Sequence, residues 1–387
     1  MTVQAAVIEA PRRFAMGRFP DPDPEPGAVL LRMHYSGICG TDKHTWRGES
    51  LQYAGTDHER DAAYPLICGH ENVGAIAAFG PGAAPLDELG RALAVGDRVV
   101  PAANLTCGHC AICRDQRAPY YLCTAMDDYG NSLSCADPPH LFGGWAQTMY
   151  LLPGTPLFRV PDGLGSELAA LTELLSVTHG LDVARALGGS AGARGMRTGD
   201  TVLVLGTGPL GMVHMIKADL IGAGQLIAID VLAERLELAR ACGAGLVIDA
   251  SATSADERLA RVRDATAGLG ADVVVDSSGR SDTFPEALAL ARPGGTIIEA
   301  GAFVDMGSVE IDPNRDVCIK DVTILGVGGE DLAHYAPSLR LLERHAERFA
   351  PLITHRVALP EVGDALELAQ TGAAMKVLVA PNGEAPR

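Results

Sequence analysis

The feature that most constrains the fold is a glycine-rich turn between a strand and a helix in the second half of the chain. Residues 201–205 have the composition of a buried strand, Gly206, Gly208 and Gly211 follow it, and residues 212–220 predict a helix. Glycines in such a turn let the backbone approach a pyrophosphate, which the positive end of the helix attracts. A phosphate loop is excluded because no Gly-Lys-Ser/Thr sequence follows. The residues of this turn that would contact a dinucleotide are Gly206, Thr207, Gly208, Pro209, Leu210 and Gly211.

An acidic residue after the next strand indicates which dinucleotide is bound. Residues 226–229 form a second apolar strand, and Asp230 follows it. A carboxylate at this position would accept hydrogen bonds from the adenosine ribose and would repel a 2′-phosphate, and no arginine follows it directly. The sequence therefore predicts NAD rather than NADP as the cofactor.

The alternation of strands and helices continues beyond this unit. Four more strand candidates are residues 245–248, 272–276, 296–300 and 322–327, with helical segments between them. Six strands separated by helices predict a parallel, doubly wound α/β sheet.

Two glycine-flanked segments near the N-terminus carry metal-ligand chemistry. A thiolate from Cys39, an imidazole from His70 and a carboxylate such as that of Glu71 suit Zn²⁺ better than Mg²⁺ or Ca²⁺. The alternative is a buried free cysteine and a hydrogen-bonded core histidine. Thr41 and His44 favour the metal site, because a hydroxyl and a second imidazole beside it would pass a proton.

A run of cysteines predicts a second metal site. Cys107, Cys110 and Cys113 recur at intervals of three, and Cys123 follows. Four thiolates can surround a tetrahedral zinc and leave no open position, which makes the site structural. An iron–sulfur cluster of the bacterial ferredoxin type would need a cysteine four residues after the third and then a proline, and neither is present. Cys135 is a rival of Cys123 for the fourth ligand.

Composition limits the partners and the compartment. The 387 residues suffice for two domains, and the formal net charge of −17 argues against nucleic-acid or anionic-membrane binding, including a nucleic-acid zinc ribbon. The sequence shows no signal peptide and no apolar run of transmembrane length. Nine cysteines, most of them in metal-like motifs, fit a reducing cytoplasm. We therefore expect a cytoplasmic protein with a small-molecule substrate.

Together these motifs resemble those of the zinc-containing medium-chain alcohol and polyol dehydrogenases. The matching residues lie in the family's order: 37–42, 69–71 with Gly74, the cysteine run from Cys107, and the glycine turn at Gly206. The resemblance covers most of the chain and favours the branch that contains sorbitol and threonine dehydrogenases. It implies zinc, catalytic and structural, and NAD as cofactors.

The resemblance also implies a division of the chain. Residues 1–175 and 327–387 would form a GroES-like, mostly β catalytic domain, and residues 176–326 a Rossmann NAD-binding domain. Within the first, residues 4–8 and 28–33 predict strands separated by a proline-rich turn. The last strand of the Rossmann sheet resembles the edge that pairs between subunits, which implies a homodimer or homotetramer.

Further site residues follow from the resemblance alone. Glu173, in a predicted helix around residues 167–186, occupies the place where the family carries another ligand of the catalytic zinc, with Glu167 as the alternative on the outer face. Whether Glu71 ligates this zinc or lies behind it stays open. Arg235 matches a basic family residue near the adenosine ribose, and the alternative is a solvated helix residue.

The implied activity is NAD-linked oxidation of a secondary alcohol to a ketone. Thr41 would take the alcohol proton, His44 would pass it on, and Asp42 would orient His70. A glutamate as the third ligand and a polar insertion at residues 48–64 favour a polyol, sugar alcohol or cyclitol. The insertion would line or cover a pocket, or it is a solvated excursion; His58 and Glu59 within it are possible but unsupported ligands.

Three other functions stay open at this point. The first is oxidation of a simple aliphatic or aromatic alcohol, with Trp46 and Tyr53 as apolar walls of the pocket. The second is a non-catalytic NAD-binding redox sensor with structural zinc only, which would not need a proton path. The third is a zinc-free quinone or enoyl reductase of the same fold, which would not need the ligands Cys39 and His70.

Overall fold

The chain folds as two units, and the first of them is built from both ends of the chain. A computed structural model describes residues 2–49, 59–83, 85–115, 119–189 and 194–383. Unit 1 comprises Met1–Ser176 and Asp331–Arg387, and unit 2 comprises Val177–Glu330.

Unit 1 begins with an antiparallel hairpin of two strands, β1 (Thr2–Ala10) and β2 (Arg13–Pro20). Strand β2 is not predicted from the sequence, because its residues mix charged and apolar side chains without regular alternation. The following strand, β3 (Val29–Gly37), is the centre of a larger sheet and is buried along most of its length.

The remaining elements of this part of unit 1 are short. The strands are β4 (Glu71–Phe79), β5 (Arg98–Pro101), β6 (Asn104–Leu105), β7 (Asp127–Asp128), β8 (Thr148–Leu151) and β9 (Leu157–Arg159). The helices are α1 (Gly40–Arg47), α2 (Ala111–Arg114), α3 (Ser166–Ala169) and α4 (Thr172–Ser176), with a 3-10 turn at Tyr120–Leu122.

Unit 2 is an open, wholly parallel sheet with helices between its strands. The strands are β10 (Thr201–Leu205), β11 (Gln225–Asp230), β12 (Leu246–Asp249), β13 (Ala271–Asp276), β14 (Ala291–Glu299) and β15 (Thr323–Gly326). The helices are α5 (His179–Gly188), α6 (Pro209–Leu220), α7 (Ala233–Ala241), α8 (Ala255–Ala265) and α9 (Phe284–Leu290), with 3-10 and π turns at Ser281–Thr283 and Pro313–Cys318.

The strand order of unit 2 is β12-β11-β10-β13-β14-β15, with all five pairings parallel. Strands β11 and β12 therefore extend the sheet on one side of β10, and β13, β14 and β15 extend it on the other side. This reversal beside β10 is the switch point where open α/β sheets bind ligands at the carboxyl ends of their strands. Central strands of such a sheet are covered on both faces, which explains why Val202, Leu203 and Val204 are fully buried.

The last part of the chain returns to unit 1. It forms α10 (Tyr335–Arg344), α11 (Ala346–Phe349), β16 (Ile353–Val357), α12 (Val362–Thr371) and β17 (Lys376–Val379), with 3-10 turns at Leu332–His334, Ala350–Leu352 and Leu359–Glu361. The resulting seven-stranded sheet has the order β16-β17-β3-β4-β5-β9, and β8 also pairs with β3. Strand β17 thus lies beside β3, the strand that leads directly to Cys39.

The predicted continuous helix at residues 167–186 is wrong. The structure divides this stretch into three helices, α3, α4 and α5. The hydroxyls of Thr172 and Ser176 donate hydrogen bonds to the backbone carbonyls three residues earlier, at 2.6 Å each. Such side-chain bonds compete with the regular hydrogen bonds of a helix.

Candidate metal and cofactor sites

The two segments that carry Cys39 and His70 are joined by one buried carboxylate. Cys39 immediately precedes helix α1, and its backbone N–H donates to Oδ2 of Asp42 at 2.7 Å. Oδ1 of Asp42 accepts from the backbone N–H of Gly69 at 3.4 Å and lies 3.9 Å from Nδ1 of His70. Asp42 is 1% exposed. It therefore fixes the cysteine segment and the histidine segment relative to each other.

The surroundings of His70 bring three acidic groups together. Burial lowers the pKa of His70, but a hydrogen bond and charge interaction with Cys39, and the charges of Asp42 and Glu173, outweigh burial and raise the pKa well above its usual value. A cation is thus strongly favoured at this position. In the protein the favoured cation can be a proton on the ring or a metal ion among these side chains.

Glu71 follows His70 but its side chain is engaged with a lysine from the other end of the chain. Nζ of Lys376 donates to both carboxylate oxygens of Glu71, at 2.6 and 2.7 Å, and to the carbonyl of Ile38 at 3.1 Å. Both side chains are almost completely buried. Burial alone would lower the pKa of Lys376, but Glu71 and the charges of Cys39 and Glu173 raise it. Lys376 therefore stays charged and holds Glu71 in place.

Glu173 lies on α4 with 6% of its surface exposed. Its charge acts on both His70 and Lys376, which places the carboxylate near the Cys39 and His70 segments. Glu167, the alternative to Glu173, pairs with an arginine instead. Both of its oxygens accept from the guanidinium of Arg356, one of them at 2.6 Å from Nε.

The predicted proton-transfer residues lie on helix α1. Thr41 is half-buried in its first turn, and His44 follows one turn later. Burial is the main cause that lowers the pKa of His44, and the charge of Arg47 lowers it further. The ring is therefore neutral near pH 7 and able to accept a proton.

Four sulfur atoms come together at the cysteine run. Sγ of Cys110 lies 3.5 Å from Sγ of Cys113 and 4.0 Å from Sγ of Cys123, and the sulfurs of Cys107 and Cys113 are 3.9 Å apart. Tetrahedral zinc with Zn–S bonds of about 2.3 Å requires sulfur atoms about 3.8 Å apart. Cys135, the rival fourth ligand, lies outside this group and is tied through its backbone to Pro65.

The electrostatics differ within the four-cysteine group: hydrogen bonds lower the pKa of Cys107 and Cys110, whereas burial raises the pKa of Cys123 to about 12. Hydrogen bonds from the backbone amides of Cys113 and Thr124 lower the pKa of Cys110 to about 5. Across the ranges that the structure describes, this group alone brings three or more potential ligand atoms to within 4.8 Å of one another. The Cys39, His70, Glu71 and Glu173 side chains are not gathered that closely, and Glu71 faces Lys376 instead.

The glycine turn of unit 2 has the close contacts that a dinucleotide turn needs. Gly206 has φ +79°, and a Cβ there would lie 2.6 Å from Cα of Ser278. A Cβ at Gly211 would lie 2.0 Å from the carbonyl oxygen of Gly206. Helix α6 begins at Pro209, so its free backbone N–H groups point to the turn at the switch point of the sheet.

Asp230 is held at the end of β11 by several donors. Its Oδ2 accepts from the backbone N–H and the hydroxyl of Thr207, at 2.7 and 3.1 Å, and its Oδ1 accepts from two following backbone amides. Nη1 of Arg235 lies 3.7 Å from Oδ2. Nε of Arg235 is buried and has no hydrogen-bond partner in the described part of the chain. This unpartnered donor and the glycine turn fit the adenosine end of NAD.

The sequence matches two family models. Residues 25–162 match the alcohol dehydrogenase GroES-like domain, and residues 209–344 match the zinc-binding dehydrogenase domain. The chain is 33% identical over 384 residues to 5-exo-hydroxycamphor dehydrogenase of Pseudomonas putida, covering 97% of this chain and 98% of that protein. It is 30% identical to probable D-xylulose reductase A of Arthroderma otae, covering 91% and 89%.

A solved structure agrees with these relatives. An alcohol dehydrogenase from Thermotoga maritima superposes with a TM-score of 0.87 and 29% identity, over 99% of this chain and 100% of that one. The chain therefore belongs to the zinc-containing medium-chain alcohol and polyol dehydrogenase family, with a GroES-like domain and a Rossmann domain. It is an oxidoreductase that acts on CH–OH groups, and its cofactors are zinc and NAD(H).

Several residues beside the sites were not found from the sequence. Lys376 is the first residue of an otherwise apolar strand, and a lysine in a fully buried strand is a signal that an acidic partner exists. Arg47 and Glu49, which contact His44, carry no such signal because charged residues are common at a helix end.

Two expectations about the substrate pocket change with the structure. Trp46 is 5% exposed, packs in the core of unit 1 and donates to Glu367 at 2.7 Å, which weighs against a role as a pocket wall. In the polar insertion, residues 50–58 lie outside the described residues, and with them Tyr53 and His58. Glu59 is exposed. None of the described helices has the length and apolarity that crossing a membrane requires.

Proposed function

We propose that the protein oxidises a secondary alcohol of a hydroxyl-rich compound, such as a polyol, sugar alcohol or cyclitol, to the ketone with NAD⁺. The observation that carries the proposal is that the two buried glutamates, Glu71 and Glu173, interact with different groups. Glu71 is bound through both oxygens to Lys376, whereas Glu173 is buried with its charge acting on His70. Because its charge acts on His70, Glu173 is the better placed of the two glutamates to be the third ligand, and a glutamate in this position is typical of the polyol branch.

In this proposal Cys39, His70 and Glu173 would hold the catalytic zinc, and Cys107, Cys110, Cys113 and Cys123 the structural one. Zinc at the first site supplies a Lewis acid for the substrate hydroxyl, and NAD⁺ supplies the hydride acceptor. Glu71 lies behind the ligands and, paired with Lys376, adds no net charge to them. Asp42, whose Oδ1 lies 3.9 Å from Nδ1 of His70, would orient the ring of this ligand.

The chain's own residues would remove the proton that oxidation releases. The hydroxyl of Thr41 accepts the proton of the substrate alcohol, and His44 delivers it to water. A neutral His44 is required for this direction, and its lowered pKa meets that requirement near pH 7. On unit 2, the turn 206–211, Asp230 and Arg235 would bind NAD.

A second candidate substrate is a bulkier, less polar secondary alcohol. One relative with 33% identity is named 5-exo-hydroxycamphor dehydrogenase, a name that points to a hydroxylated camphor as the substrate of that protein. This candidate uses the same zinc ligands and proton path and differs only in the pocket.

A substrate panel with metal analysis tests the proposal. Sorbitol, xylitol, myo-inositol, 2,3-butanediol, cyclohexanol and borneol are each offered with NAD⁺ and with NADP⁺, and reduced cofactor is followed by its absorbance. We expect the highest kcat/KM for a polyol or cyclitol with NAD⁺, and about two zinc ions per chain. Preference for borneol would establish the second candidate. One zinc per chain and no oxidation of any alcohol would favour the redox sensor instead.

The Cys39→Ser variant tests the catalytic site itself. We expect it to lose turnover, because a serine hydroxyl does not replace a thiolate on zinc, and to retain NADH binding measured by fluorescence titration. Cys318→Ser is the matched control, since Cys318 is exposed and belongs to unit 2. Full activity of Cys39→Ser would contradict the assignment.

A further inference from the structure

Arg47 forms a hydrogen bond with one of the two ring nitrogens of His44. Both residues lie on α1, and Nη2 of Arg47 is 3.0 Å from Nδ1 of His44. A guanidinium donates hydrogen bonds and accepts none, so Nδ1 must be the acceptor. The proton of the neutral ring is then on Nε2, and the usual freedom of a histidine to exchange tautomers is restricted.

The position of Arg47 is fixed from two other sides. Its Nη1 donates to Oε1 of Gln370 on α12 at 2.6 Å, and its Nε donates to Oε2 of Glu49 at 2.6 Å. The side chain is 25% exposed. Three contacts with three different groups, from α1, α12 and the segment after α1, hold the guanidinium against the histidine ring.

Glu49 favours the opposite protonation of the same nitrogen. Its Oε2 lies 3.5 Å from Nδ1 of His44, and a carboxylate can only accept a proton from that position. Arg47 therefore favours an unprotonated Nδ1, and Glu49 favours a protonated one. In the structure the shorter contact is that of Arg47, which selects the neutral ring with its proton on Nε2.

We propose that Arg47 is a positioning residue for the alcohol oxidation, and that Arg47 and Glu49 together form a tautomer switch at His44. Uptake of a proton at Nδ1 displaces the N–H of Arg47, and the new Nδ1–H turns to Glu49. Loss of this Nδ1 proton to water restores the contact with Arg47, while the proton on Nε2 stays in place. No other atom changes its protonation or oxidation state. This inference rests on the proposed role of His44 in proton release.

The other charged residues near His44 do not take over the effects of Arg47 and Glu49 on its Nδ1. Lys43 is the neighbouring residue on α1, and it lowers the pKa of His44 less than burial and Arg47 do, while Glu49 raises it. From α12 the charged neighbour of α1 is Glu367, which accepts from Trp46 and pairs with Arg12. Among the described residues, the switch therefore consists of Arg47 and Glu49.

Nitrogen-15 NMR of histidine in the protein without substrate tests the switch directly. Two-bond ¹H–¹⁵N correlations distinguish the tautomers, and His44→Gln assigns the signal. We expect the Nε2–H tautomer in the parent protein. Arg47→Met should increase the Nδ1–H tautomer and move the pKa of His44 upward, whereas Glu49→Gln should move it downward. Arg13→Met, which removes an exposed arginine paired with Glu9 on the hairpin, is the control and should change neither.

The pH dependence of kcat/KM connects the switch to turnover. The acidic limb for alcohol oxidation should move to higher pH in Arg47→Met and to lower pH in Glu49→Gln, and Arg47→Lys should restore part of the charge effect. An unchanged tautomer and pKa in Arg47→Met would overturn the proposal. So would a raised KM for NAD⁺ with an unmoved pH limb, because Arg47 would then be a cofactor contact.

The experiments also separate this inference from the proposed function. If His44→Gln keeps full turnover at every pH, then His44 is not the proton exit and that part of the proposed function fails. The NMR shifts would in that case still establish the Arg47–Glu49 switch, but without a role in catalysis.

Discussion

At the residue scale, the ion pair of Glu71 and Lys376 shows how a buried charge is retained next to a reactive site. Lys376 is 1% exposed and Glu71 is completely buried, and two hydrogen bonds and the carbonyl of Ile38 satisfy the ammonium group. Such a pair contributes little net stability compared with an apolar pair. Loss of one partner, however, leaves an unpaired buried charge, which costs about 3–5 kcal/mol.

We therefore predict that Lys376→Met destabilises unit 1 by about 3–5 kcal/mol, measured by urea unfolding. The double variant Glu71→Gln with Lys376→Met removes both charges and should regain part of this loss. A Lys376→Met protein that unfolds within about 1 kcal/mol of the parent would show that Glu71 finds another partner or is protonated.

At the element scale, the four clustered sulfurs of Cys107, Cys110, Cys113 and Cys123 would hold the structural zinc in the proposed function, and we call residues 107–123 the zinc lobe. In its described residues, 107–115 and 119–123, the helical elements are the short helix α2 and one 3-10 turn. The lobe and the catalytic ligands belong to different segments of unit 1, so each zinc should be removable separately.

Cys110→Ser should lower the zinc content from about two ions per chain to about one, measured by plasma emission spectrometry. Cys135→Ser is the matched control: this cysteine is buried nearby in sequence but lies outside the four-sulfur group. A loss of zinc in Cys135→Ser would contradict the assignment and place Cys135 among the ligands.

Helix α6 carries a histidine that makes the stability of unit 2 depend on pH. His214 is completely buried, its Nδ1–H donates to the carbonyl of Leu210 at 2.9 Å, and its Nε2 has no partner in the described structure. Burial lowers the pKa of His214 from 6.5 to about 4. The unfolded chain therefore binds a proton at a higher pH than the folded chain does.

The sign of the effect follows from this difference. Between pH 6.5 and about 4 the unfolded state holds more protons, so the contribution of His214 to stability is complete above pH 6.5 and decreases as the pH falls. We expect a loss of about 3 kcal/mol across this window. Thermal unfolding of the parent and His214→Gln proteins from pH 7 to 4 measures it, and parallel curves would contradict the prediction.

At the scale of the whole molecule, the edge of the Rossmann sheet presents apolar surface. Strand β15 lies at the edge of the six-stranded sheet, and Ile324 on it is 41% exposed, with Ile319 at 73% just before the strand. An exposed, apolar edge strand is prone to pair with another chain. We propose that a second copy of the chain covers it, which gives a homodimer or a homotetramer built from dimers.

Sedimentation velocity should accordingly show a dimer or a tetramer, and Ile324→Lys should shift the protein to a species of half the mass. Val95→Lys is the control, because Val95 is 64% exposed in unit 1. A monomeric parent protein would refute the assembly, and an unchanged mass of the variant would place the interface elsewhere.

The sequence predicted those features whose signal is local. The order of glycines after β10 determines a turn and a helix start within a dozen residues, and the alternation of strands and helices determines the parallel sheet. Likewise, the Cys107, Cys110 and Cys113 spacing is set within one loop. The hairpin strand β2 and the breaks between α3, α4 and α5 were missed, because packing against neighbours overrides weak local preference there.

The sequence by itself therefore determined the family, the fold class and both cofactors, since each depends on motifs in which the interacting residues are close in the chain. Only the tertiary structure decided what each charged side chain near the reactive segments contacts. Lys376 reaches Glu71 across 305 residues, and Arg47 reaches Gln370 across 323. No local pattern encodes such pairs, because a buried charge accepts any partner of opposite sign that the folded backbone brings within hydrogen-bond distance.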